Sequence, residues 1–332
     1  MTDQLTMTDI PKRLVSIVAP AYNEEANLRE LFTRVSAMLT EEPVDFEIVI
    51  VENGSTDRSL DLLKQLHDED PRLNYVSLSR NFGHQGGLLA GLHNARGDVV
   101  VTMDADLQHP PECLPEMLSL WRSGHEIVFT LKRQNGSQPI LRKIANAFFY
   151  RFVTRLSGLE LSGGQSDFRL MDRKAVDSLL AMPERGKFLR GLTRWVGFRQ
   201  TTIEYDVPPR FAGESKFRFT HLVRFALDGV LSFSIMPLRL FTLFGLVVSG
   251  VAFTYGMLTF VRGLYAYLTG YGGRIPPGWA TIGVAIFFFG GVQLIGIGLL
   301  GEYLGRVYDE VKHRPAFLVR ESSTGDPKHD DR

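Results

Sequence analysis

Cysteine is almost absent from this sequence, since Cys113 is the one cysteine among 332 residues. A single thiol cannot form an internal disulfide, which excludes a disulfide-stapled fold and agrees with a reducing compartment. We interpret Cys113 as a small buried apolar residue rather than as a nucleophile. A hydrophobic content of 44% is sufficient for a sizeable core instead.

The sequence also has no formal net charge, because 37 basic residues balance 37 acidic ones. Global electrostatics therefore gives no indication of a nucleic-acid partner, and any basic site has to be local. Residues 1–13 have neither the basic end nor the apolar core of a signal peptide and are interpreted as a loose leader. Residues 321–332 are polar and are predicted to be a disordered tail.

Two long segments, 240–261 and 279–300, contain no charged side chain. A helix of that length crosses a hydrocarbon core of about 30 Å. The alternative is a pair of apolar core helices, but soluble helices of this length normally carry a polar stripe. We predict a transmembrane hairpin within residues 237–304, followed by a cytoplasmic tail over 305–332.

The segments on either side of this hairpin contain more basic residues than the loop at 262–278, which has two arginines. By the positive-inside rule both large ends then lie in the cytoplasm, and the protein is a multi-pass protein of the inner (cytoplasmic) membrane. The flanking basic residues are Arg218, Arg224, Arg239, Arg306, Lys312, Arg314 and Arg320.

Residues 14–130 alternate between strand and helix patterns, which predicts a parallel sheet with crossover helices. The predicted strands are LVSIVAPAY, FEIVIVE, LNYVSLS, DVVVTMD and EIVFTLKR. Four of the apolar runs end in polar residues, at Asn23, Glu52, Arg80 and Asp104. Because loops at the carboxyl ends of parallel strands converge on a ligand, we expect these four positions to meet at one site.

Within VTMDADLQHPPE, Asp104 and Asp106 follow the fourth apolar run. Alternate residues of an extended segment point the same way, so both carboxylates can face one ligand. Hard oxygen ligands suit Mg²⁺ or Mn²⁺, which usually retain substrate phosphates and water. The alternative is an Asx-rich turn that caps the next segment.

Two further clusters carry weaker signals. Glu52 ends the second apolar run, where a carboxylate in nucleotide-binding sheets accepts hydrogen bonds from the ribose or the base. The stretch SRNFGHQGG is not a phosphate loop, because no Gly-Lys-Ser/Thr follows its glycines. A tight connection from strand to helix explains the glycines at least as well, and His84 is interpreted as a local hydrogen-bonding residue.

Five motifs follow one another along the chain: SIVAPAYNEE, VENGSTD, DADLQHP, SDFRLMDR and RFAGESKF, with the two apolar segments after them. In this order and spacing the sequence resembles the family 2 glycosyltransferases with the GT-A fold. Among them it is most similar to the polyprenyl-phosphate glycosyltransferases, which include dolichyl-phosphate mannose synthases and bacterial undecaprenyl-phosphate glucosyltransferases. The resemblance covers roughly residues 14–315.

The resemblance implies an α/β architecture: a GT-A (Rossmann-like, mostly parallel) catalytic domain over 14–212, a basic loop and interfacial amphipathic helix over 213–236, and the transmembrane hairpin. Apolar residues at helical spacing from 217 to 233 agree with an interfacial helix. A surface helix packed on the soluble domain would give the same pattern.

The resemblance also implies the roles of individual residues. The metal would be held by Asp104 and Asp106, with Asp106 also catalytic, and Asp167 would stand where the family has its general base. Donor and phosphate binding would involve Pro20, Tyr22, Glu24, Glu52, Asn53, Arg210, Ser215 and Lys216.

Three of these assignments are qualified by the sequence or by chemistry. Glu52 and Asn53 replace the aspartate pair that the family usually has before Gly-Ser, so nucleotide binding is expected while base and sugar preference stay open. Asp167 is interpreted as part of a polar insertion between helical stretches. A phosphate acceptor is largely dianionic at neutral pH, so Asp167 orients it more than it deprotonates it. The basic cluster around Arg210 and Lys216 would equally attract anionic lipid headgroups.

The implied reaction is an inverting transfer of a sugar from a nucleotide sugar to a polyprenyl phosphate, with Mg²⁺ or Mn²⁺. Uridine and glucose are preferred by analogy alone. One alternative is a processive polysaccharide synthase, although GLTRW at 191–195 lacks the glutamine of the Gln-x-x-Arg-Trp motif. Another is a non-catalytic, membrane-anchored nucleotide-binding partner. Small-residue spacings such as Gly245 with Ser249 and Gly301 with Gly305 agree with a homo-oligomer.

Overall fold

The structure is a computed structural model, and it describes residues 12–133, 165–184, 187–206, 236–269 and 279–325. The chain divides into two compact units. The first contains the described residues up to 206 together with 313–325, and the second contains the described residues from 236 to 312. The predicted interfacial helix over 217–233 lies outside the described residues.

The first unit is built on one sheet of eight strands, in the order β7-β5-β6-β4-β1-β2-β3-β8. Strands β4, β1, β2 and β3 are mutually parallel, β6 runs antiparallel between β4 and β5, β7 is parallel to β5, and β8 is antiparallel to β3. This confirms the predicted α/β class with a mostly parallel sheet. The strands are β1 (Leu14–Ala21), β2 (Asp45–Glu52), β3 (Leu73–Leu78), β4 (Val99–Thr102), β5 (Ile127–Lys132), β6 (Gln165–Asp172), β7 (Gln200–Tyr205) and β8 (Val319–Ser322).

Helices cover the sheet because their apolar residues recur at helical spacing. On α1 the buried positions Leu28, Leu31, Val35 and Leu39 form one stripe against the core. A short 3₁₀ turn, Pro111–Cys113, leads into α4. The helices of this unit are α1 (Glu25–Thr40), α2 (Ser59–Glu69), α3 (Gly83–Asn94), α4 (Leu114–Arg122), α5 (Arg173–Leu180) and α6 (Leu189–Trp195).

Helix α3 lies close to the sheet at two of its glycines. A Cβ atom at Gly91 would lie 2.2 Å from Val18 Cγ1, and one at Gly87 would lie 2.9 Å from Pro20 Cβ. These positions therefore accept only glycine without displacement of β1. Residues 79–82 alone separate β3 from α3, and Gly83 has a φ of 79°, which agrees with a tight connection between strand and helix.

Two expectations from the sequence are wrong. Asp167 does not lie in an insertion between helical stretches, since residues 165–172 form β6, which pairs with both β4 and β5. The tail is not disordered from residue 321, because β8 completes the sheet next to β3 and residues up to 325 are described. The edge of β3 has backbone groups that need partners, and β8 supplies them.

Cys113 is half-buried beside the core. Burial, with a smaller contribution from the charges of Glu116 and Glu112, raises the pKa of its thiol to about 11. A thiol of that pKa is almost entirely protonated at neutral pH, which agrees with its interpretation as an inert apolar residue.

The second unit consists of α7 (Met236–Thr269) and α8 (Trp279–Val311). Both are long and apolar enough to cross a membrane, over Leu238–Leu258 and Phe288–Val311. The two helices touch where a Cβ at Gly296 would lie 2.3 Å from Phe241 Cε1. The predicted segments 240–261 and 279–300 fall inside these helices, so the length and composition that a membrane span needs are present.

Candidate active site

Four polar positions lie at one edge of the sheet, as predicted. Glu52 is the last residue of β2, and Asn23, Arg80 and Asp104 come two residues after β1, β3 and β4; the four strands are adjacent and parallel. The pairings fix this alignment, since Ala21 is opposite Glu52 and Val18 is opposite Thr102. The carboxyl ends of the strands therefore form one crevice.

The two aspartates lie on a turn with a constrained backbone. Leu107 has a φ of 62°, a left-handed conformation that is unusual for a bulky residue, while its side chain is buried in the core. Gln108 N–H donates to Asp106 Oδ1 at 3.1 Å, so Asp106 also forms the Asx turn that the sequence allowed. Burial of Leu107 holds a strained turn in place beside the crevice.

The position of Asp104 fits a divalent cation. Its Oδ1 is buried and has no hydrogen-bond partner among the described residues, and His84 Nε2 lies 3.5 Å from it. In the described parts of the chain no three or more His, Cys, Asp or Glu side chains form a group that could hold a metal ion. Asp104 and Asp106 would thus leave most coordination positions of Mg²⁺ to phosphate oxygens and water, as that ion prefers.

His109 lies behind this turn and is fully buried. Its Nδ1 accepts from the backbone N–H of Asp104 at 2.8 Å, and its Nε2 lies 2.6 Å from Ser166 Oγ. The ring stacks on Phe168, with centroids 5.2 Å apart. Burial lowers the pKa of His109 more than the nearby carboxylates raise it, so the ring is neutral at neutral pH.

Asp167 stands next to the turn because Thr102 Oγ1, at the end of β4, donates to its backbone carbonyl at 2.6 Å. The carboxylate is buried and forms ion pairs with both Arg169 and Arg190. Arg169, itself 1% exposed, also donates to Thr193 Oγ1 at 2.9 Å. Strand β6 and helix α6 therefore hold this carboxylate from two sides.

These contacts decide the ionisation of the cluster. Burial alone would raise the pKa of Asp167, but Arg190, His84 and Arg169 outweigh burial and hold that pKa well below its usual range. Burial opposes the charged form of His84, whereas its hydrogen bond to Asp167 and the charge of Asp104 raise its pKa overall. Asp167 is a permanent anion at neutral pH, and a carboxylate so firmly ionised is a weak base.

Glu52 and Asn53 serve the architecture of the crevice. Glu52 is 2% exposed, and its two carboxylate oxygens accept from Ser55 N–H and, at 2.7 Å, from Ser77 Oγ. Asn53 accepts from Phe82 N–H and donates to Gly83 O, both at 2.9 Å. An aspartate has no hydrogen to donate to a carbonyl, which explains the amide at this position.

The first turn interlocks with the second. Asn23, at a φ of 57°, accepts from Thr56 N–H at 2.8 Å. Glu24 Oε2 accepts from Asn27 at 2.5 Å, and Tyr22 is 37% exposed beside this turn. Pro20, Tyr22 and Glu24 thus lie at the crevice edge, where their contact with a nucleotide stays a prediction.

Arg210, Ser215 and Lys216 lie outside the described residues, so the structure leaves their phosphate-binding role as a prediction. Within GLTRW, Arg194 stacks over Phe129 at 4.5 Å and Trp195 is 65% exposed.

Sequence reasoning missed His109, Arg169 and Arg190 as members of the site. Arg169 had a detectable signal, because it lies two residues after Asp167 and strand residues at that spacing point the same way. Arg190 is distant in sequence and gave no signal. His109 stands inside the quoted motif DADLQHP, but nothing in the spacing indicates which way its ring turns.

Comparisons with known proteins identify the family of the chain. Residues 16–180 match the glycosyl transferase family 2. An uncharacterized glycosyltransferase of Synechocystis sp. is 41% identical over 92% of this chain and 94% of its own length. The SfII prophage-derived bactoprenol glucosyl transferase of Shigella flexneri is 36% identical over 94% of this chain and 99% of its own length.

Among solved structures, a crystal structure of glucosyl-3-phosphoglycerate synthase from Mycobacterium tuberculosis with Mn²⁺, uridine-diphosphate-glucose and phosphoglyceric acid is 20% identical. It covers 66% of this chain and 78% of its own, with a TM-score of 0.45, too low to carry its ligands over. The family match and the near full-length relatives do decide the class. The chain belongs to glycosyl transferase family 2 and is a glycosyltransferase.

Proposed function

We propose that the protein transfers one sugar from a UDP-sugar, with UDP-glucose as the first candidate, to a polyprenyl phosphate at the cytoplasmic face of the inner membrane. The anomeric configuration inverts, and the product is a polyprenyl-phosphate sugar for cell-envelope glycosylation. The relatives named bactoprenol glucosyl transferase support this choice of sugar and of acceptor. One observation carries the proposal: the same crevice contains an Asp104 oxygen that has no hydrogen-bond partner among the described residues and an Asp167 carboxylate that is ion-paired with two arginines.

Asp104 and Asp106 are the residues that would hold Mg²⁺ or Mn²⁺ together with the donor diphosphate. When bound, the ion would stabilise negative charge on the departing nucleoside diphosphate. Asp104 supplies a buried oxygen that receives no hydrogen bond from the described residues, and such an oxygen is suited to bind a cation. Asp106 keeps one oxygen in the turn, so it also fixes the backbone between the two carboxylates.

Asp167 acts on the acceptor through its neighbours. A phosphate monoester with a second pKa of about 6 is mostly dianionic at neutral pH and needs no base. Asp167 instead holds Arg190, whose side chain remains 24% exposed, and His84, which is 42% exposed. His84 Nε2 lies 3.5 Å from Asp104 Oδ1, and N–H donors at such a position can orient a phosphate oxygen for attack on the anomeric carbon. Attack opposite the leaving diphosphate inverts that carbon.

Membrane attachment places the acceptor within reach. Helices α7 and α8 have the length and apolar composition of spans. We propose that they cross the inner membrane as a hairpin with the catalytic unit and both termini in the cytoplasm, following the distribution of basic residues. We further propose that Arg210, Ser215 and Lys216 bind phosphate groups, and that the chain works as a homo-oligomer.

The test is transfer of label to lipid by the purified full chain in detergent. Undecaprenyl phosphate and Mg²⁺ or Mn²⁺ are combined with a panel of labelled nucleotide sugars, and Asp104→Asn and Asp106→Asn are run in parallel. Asp45→Asn, an exposed aspartate at the opposite edge of the sheet, is the matched control. We expect transfer of a single sugar that is lost on chelation and in both site variants but kept in the control.

Other outcomes would replace the proposal. Long sugar chains as products would favour a processive synthase. Metal-dependent nucleotide binding without lipid labelling by any donor would favour a non-catalytic binding partner. Labelling that survives chelation would remove the metal from the mechanism.

A further inference from the structure

His109 lies just after Asp104 and Asp106, in the turn that carries them. The side chain is fully buried between the turn and the sheet. Nδ1 accepts from the backbone N–H of Asp104, whereas Nε2 contacts Ser166 on β6 and also lies 3.5 Å from Asp104 Oδ2. Ser166 directly precedes Asp167, so one imidazole joins the two halves of the site.

The hydrogen bonds fix the state of the ring. A backbone N–H can only donate, so Nδ1 must accept from Asp104 and carries no hydrogen. The hydrogen is then on Nε2 and is donated to Ser166 Oγ at 2.6 Å. Tyr205 OH donates to the same Ser166 oxygen at 3.2 Å. These hydrogen bonds are compatible with one orientation and one tautomer of the His109 ring.

Aromatic packing holds that orientation. Phe168 stacks on the imidazole with an interplanar angle of 15°, and Tyr205 meets it edge-on at 6.0 Å. Satisfied polar networks in a buried environment rigidify what they connect, because each broken bond leaves an unpaired group out of water. Thr102 Oγ1 adds a second link from the end of β4 to the Asp167 carbonyl.

We propose that His109 is a positioning residue that fixes the turn carrying Asp104 and Asp106 against β6, and so sets the separation between the Asp104 carboxylate, which would hold the cation, and the Asp167 carboxylate. It touches neither donor nor acceptor and acts through Asp104. The inference rests on the proposed function in one respect: the cation it serves is the counter-ion of the donor diphosphate. Partners one step behind a metal ligand commonly change metal affinity by about 10- to 100-fold when altered.

Three substitutions separate the two hydrogen bonds. His109→Asn keeps an oxygen near the Nδ1 position and loses the bond to Ser166. His109→Gln reaches the Nε2 position and loses the acceptor for Asp104 N–H. His109→Phe keeps the stacking on Phe168 and loses both bonds. Because Asn and Gln also differ in volume by one methylene, the thermal stability of each variant is needed to separate a packing loss from the loss of either hydrogen bond.

The first measurement is Mn²⁺-dependent UDP binding by titration calorimetry on the full chain in detergent, with thermal unfolding of the ligand-free protein alongside. We expect His109→Gln and His109→Phe to raise the Mn²⁺ concentration for half-maximal binding by about 10-fold or more, and His109→Asn to raise it by less than about 3-fold. Equal Mn²⁺ requirements in Asn and Gln variants, or losses that only follow the melting temperature, would overturn the proposal.

The second measurement needs no ligand. Hydrogen exchange of peptides covering residues 103–110 reports on the Asp104 amide. We expect its protection to persist in His109→Asn and to fall in His109→Gln, and equal protection in both would refute the positioning role. A wild-type chain that binds no Mn²⁺ with UDP would instead refute the proposed function, so the two failures are distinguishable.

Discussion

Asp167 and Arg169 lie two positions apart on β6 and form an ion pair that is buried on both sides. Their spacing puts both side chains on one face of the strand, where Arg190 of α6 completes the cluster. Arg190, His84 and Arg169 hold the pKa of this carboxylate well below its usual range. We expect Asp167 to act as a fixed charge rather than as a proton acceptor.

Replacing Asp167 by Asn should destabilise the catalytic unit strongly. Arg169 would keep its charge in the interior without a counter-ion, and breaking a buried pair in this way costs about 3–5 kcal/mol. The check is the free energy of unfolding in detergent at neutral pH. Asp177→Asn, which removes an exposed partner of Arg173, should change stability by less than about 0.5 kcal/mol. Equal stabilities of the two variants would contradict the role of Asp167.

The stabilisation by Asp167 should also show a defined pH dependence. Its native pKa is well below the ordinary value of 3.8, so the stabilisation is complete above that value and is lost as the pH falls through the native pKa. Because Asp167 also raises the pKa of His84, which adds stability below the ordinary histidine value of 6.5, the stability difference between wild type and Asp167→Asn should grow as the pH falls from about 8 to 5. A difference that shrinks on lowering the pH from 7 to 5 would be inconsistent with this ionisation.

Asn53→Asp should lower stability although it restores a carboxylate at the position. The new oxygen would face the carbonyl of Gly83, to which the amide now donates, and an unpaired buried polar group costs about 1–3 kcal/mol. Asn81→Asp is the matched control, because Asn81 Oδ1 only accepts, from Gly83 N–H at 2.7 Å. Thermal unfolding of both variants is the measurement, and a stable Asn53→Asp would contradict the bridging role of the amide.

Glu52→Gln tests whether this carboxylate also binds the nucleotide. Loss of the charge should weaken UDP binding by about 5-fold, the difference between a charge-assisted and a neutral hydrogen bond. Glu47→Gln is the control at the opposite end of β2, where the carboxylate pairs with Arg96 at 2.8 Å. Calorimetry should show weaker binding only for Glu52→Gln, and unchanged affinity there would leave Glu52 a purely structural residue.

Phe317→Ala should detach the C-terminal strand from the catalytic unit. Phe317 is fully buried and its ring lies 5.5 Å from that of His93, so truncation should cost about 3–5 kcal/mol. Leu318→Ala, at a neighbouring residue that is 42% exposed, should have a small effect. Unfolding measurements, with limited proteolysis of the tail, compare the two. Equal resistance of both variants would contradict docking of β8 through Phe317.

Several features were predictable from the sequence because they depend on local pattern. Alternating apolar runs predicted β1 to β5 and the helices between them, and the polar ends of four strands predicted a common crevice. Long uncharged segments predicted α7 and α8. The order of the five motifs predicted the family, since the resemblance depends on several positions together and not on any single residue.

The sequence by itself determined the class of the protein, and it predicted the edge of the sheet where the polar strand ends meet and the two aspartates proposed to hold the metal. Tertiary structure decided the rest: β6 is polar in sequence, yet it is central because β4 and β5 satisfy its backbone and Arg169 satisfies Asp167. It also decided that His109 faces Ser166 and that β8 returns to β3. These features have the same physical cause: a buried polar group needs a hydrogen-bond or ion-pair partner, and here that partner comes from a different structural element.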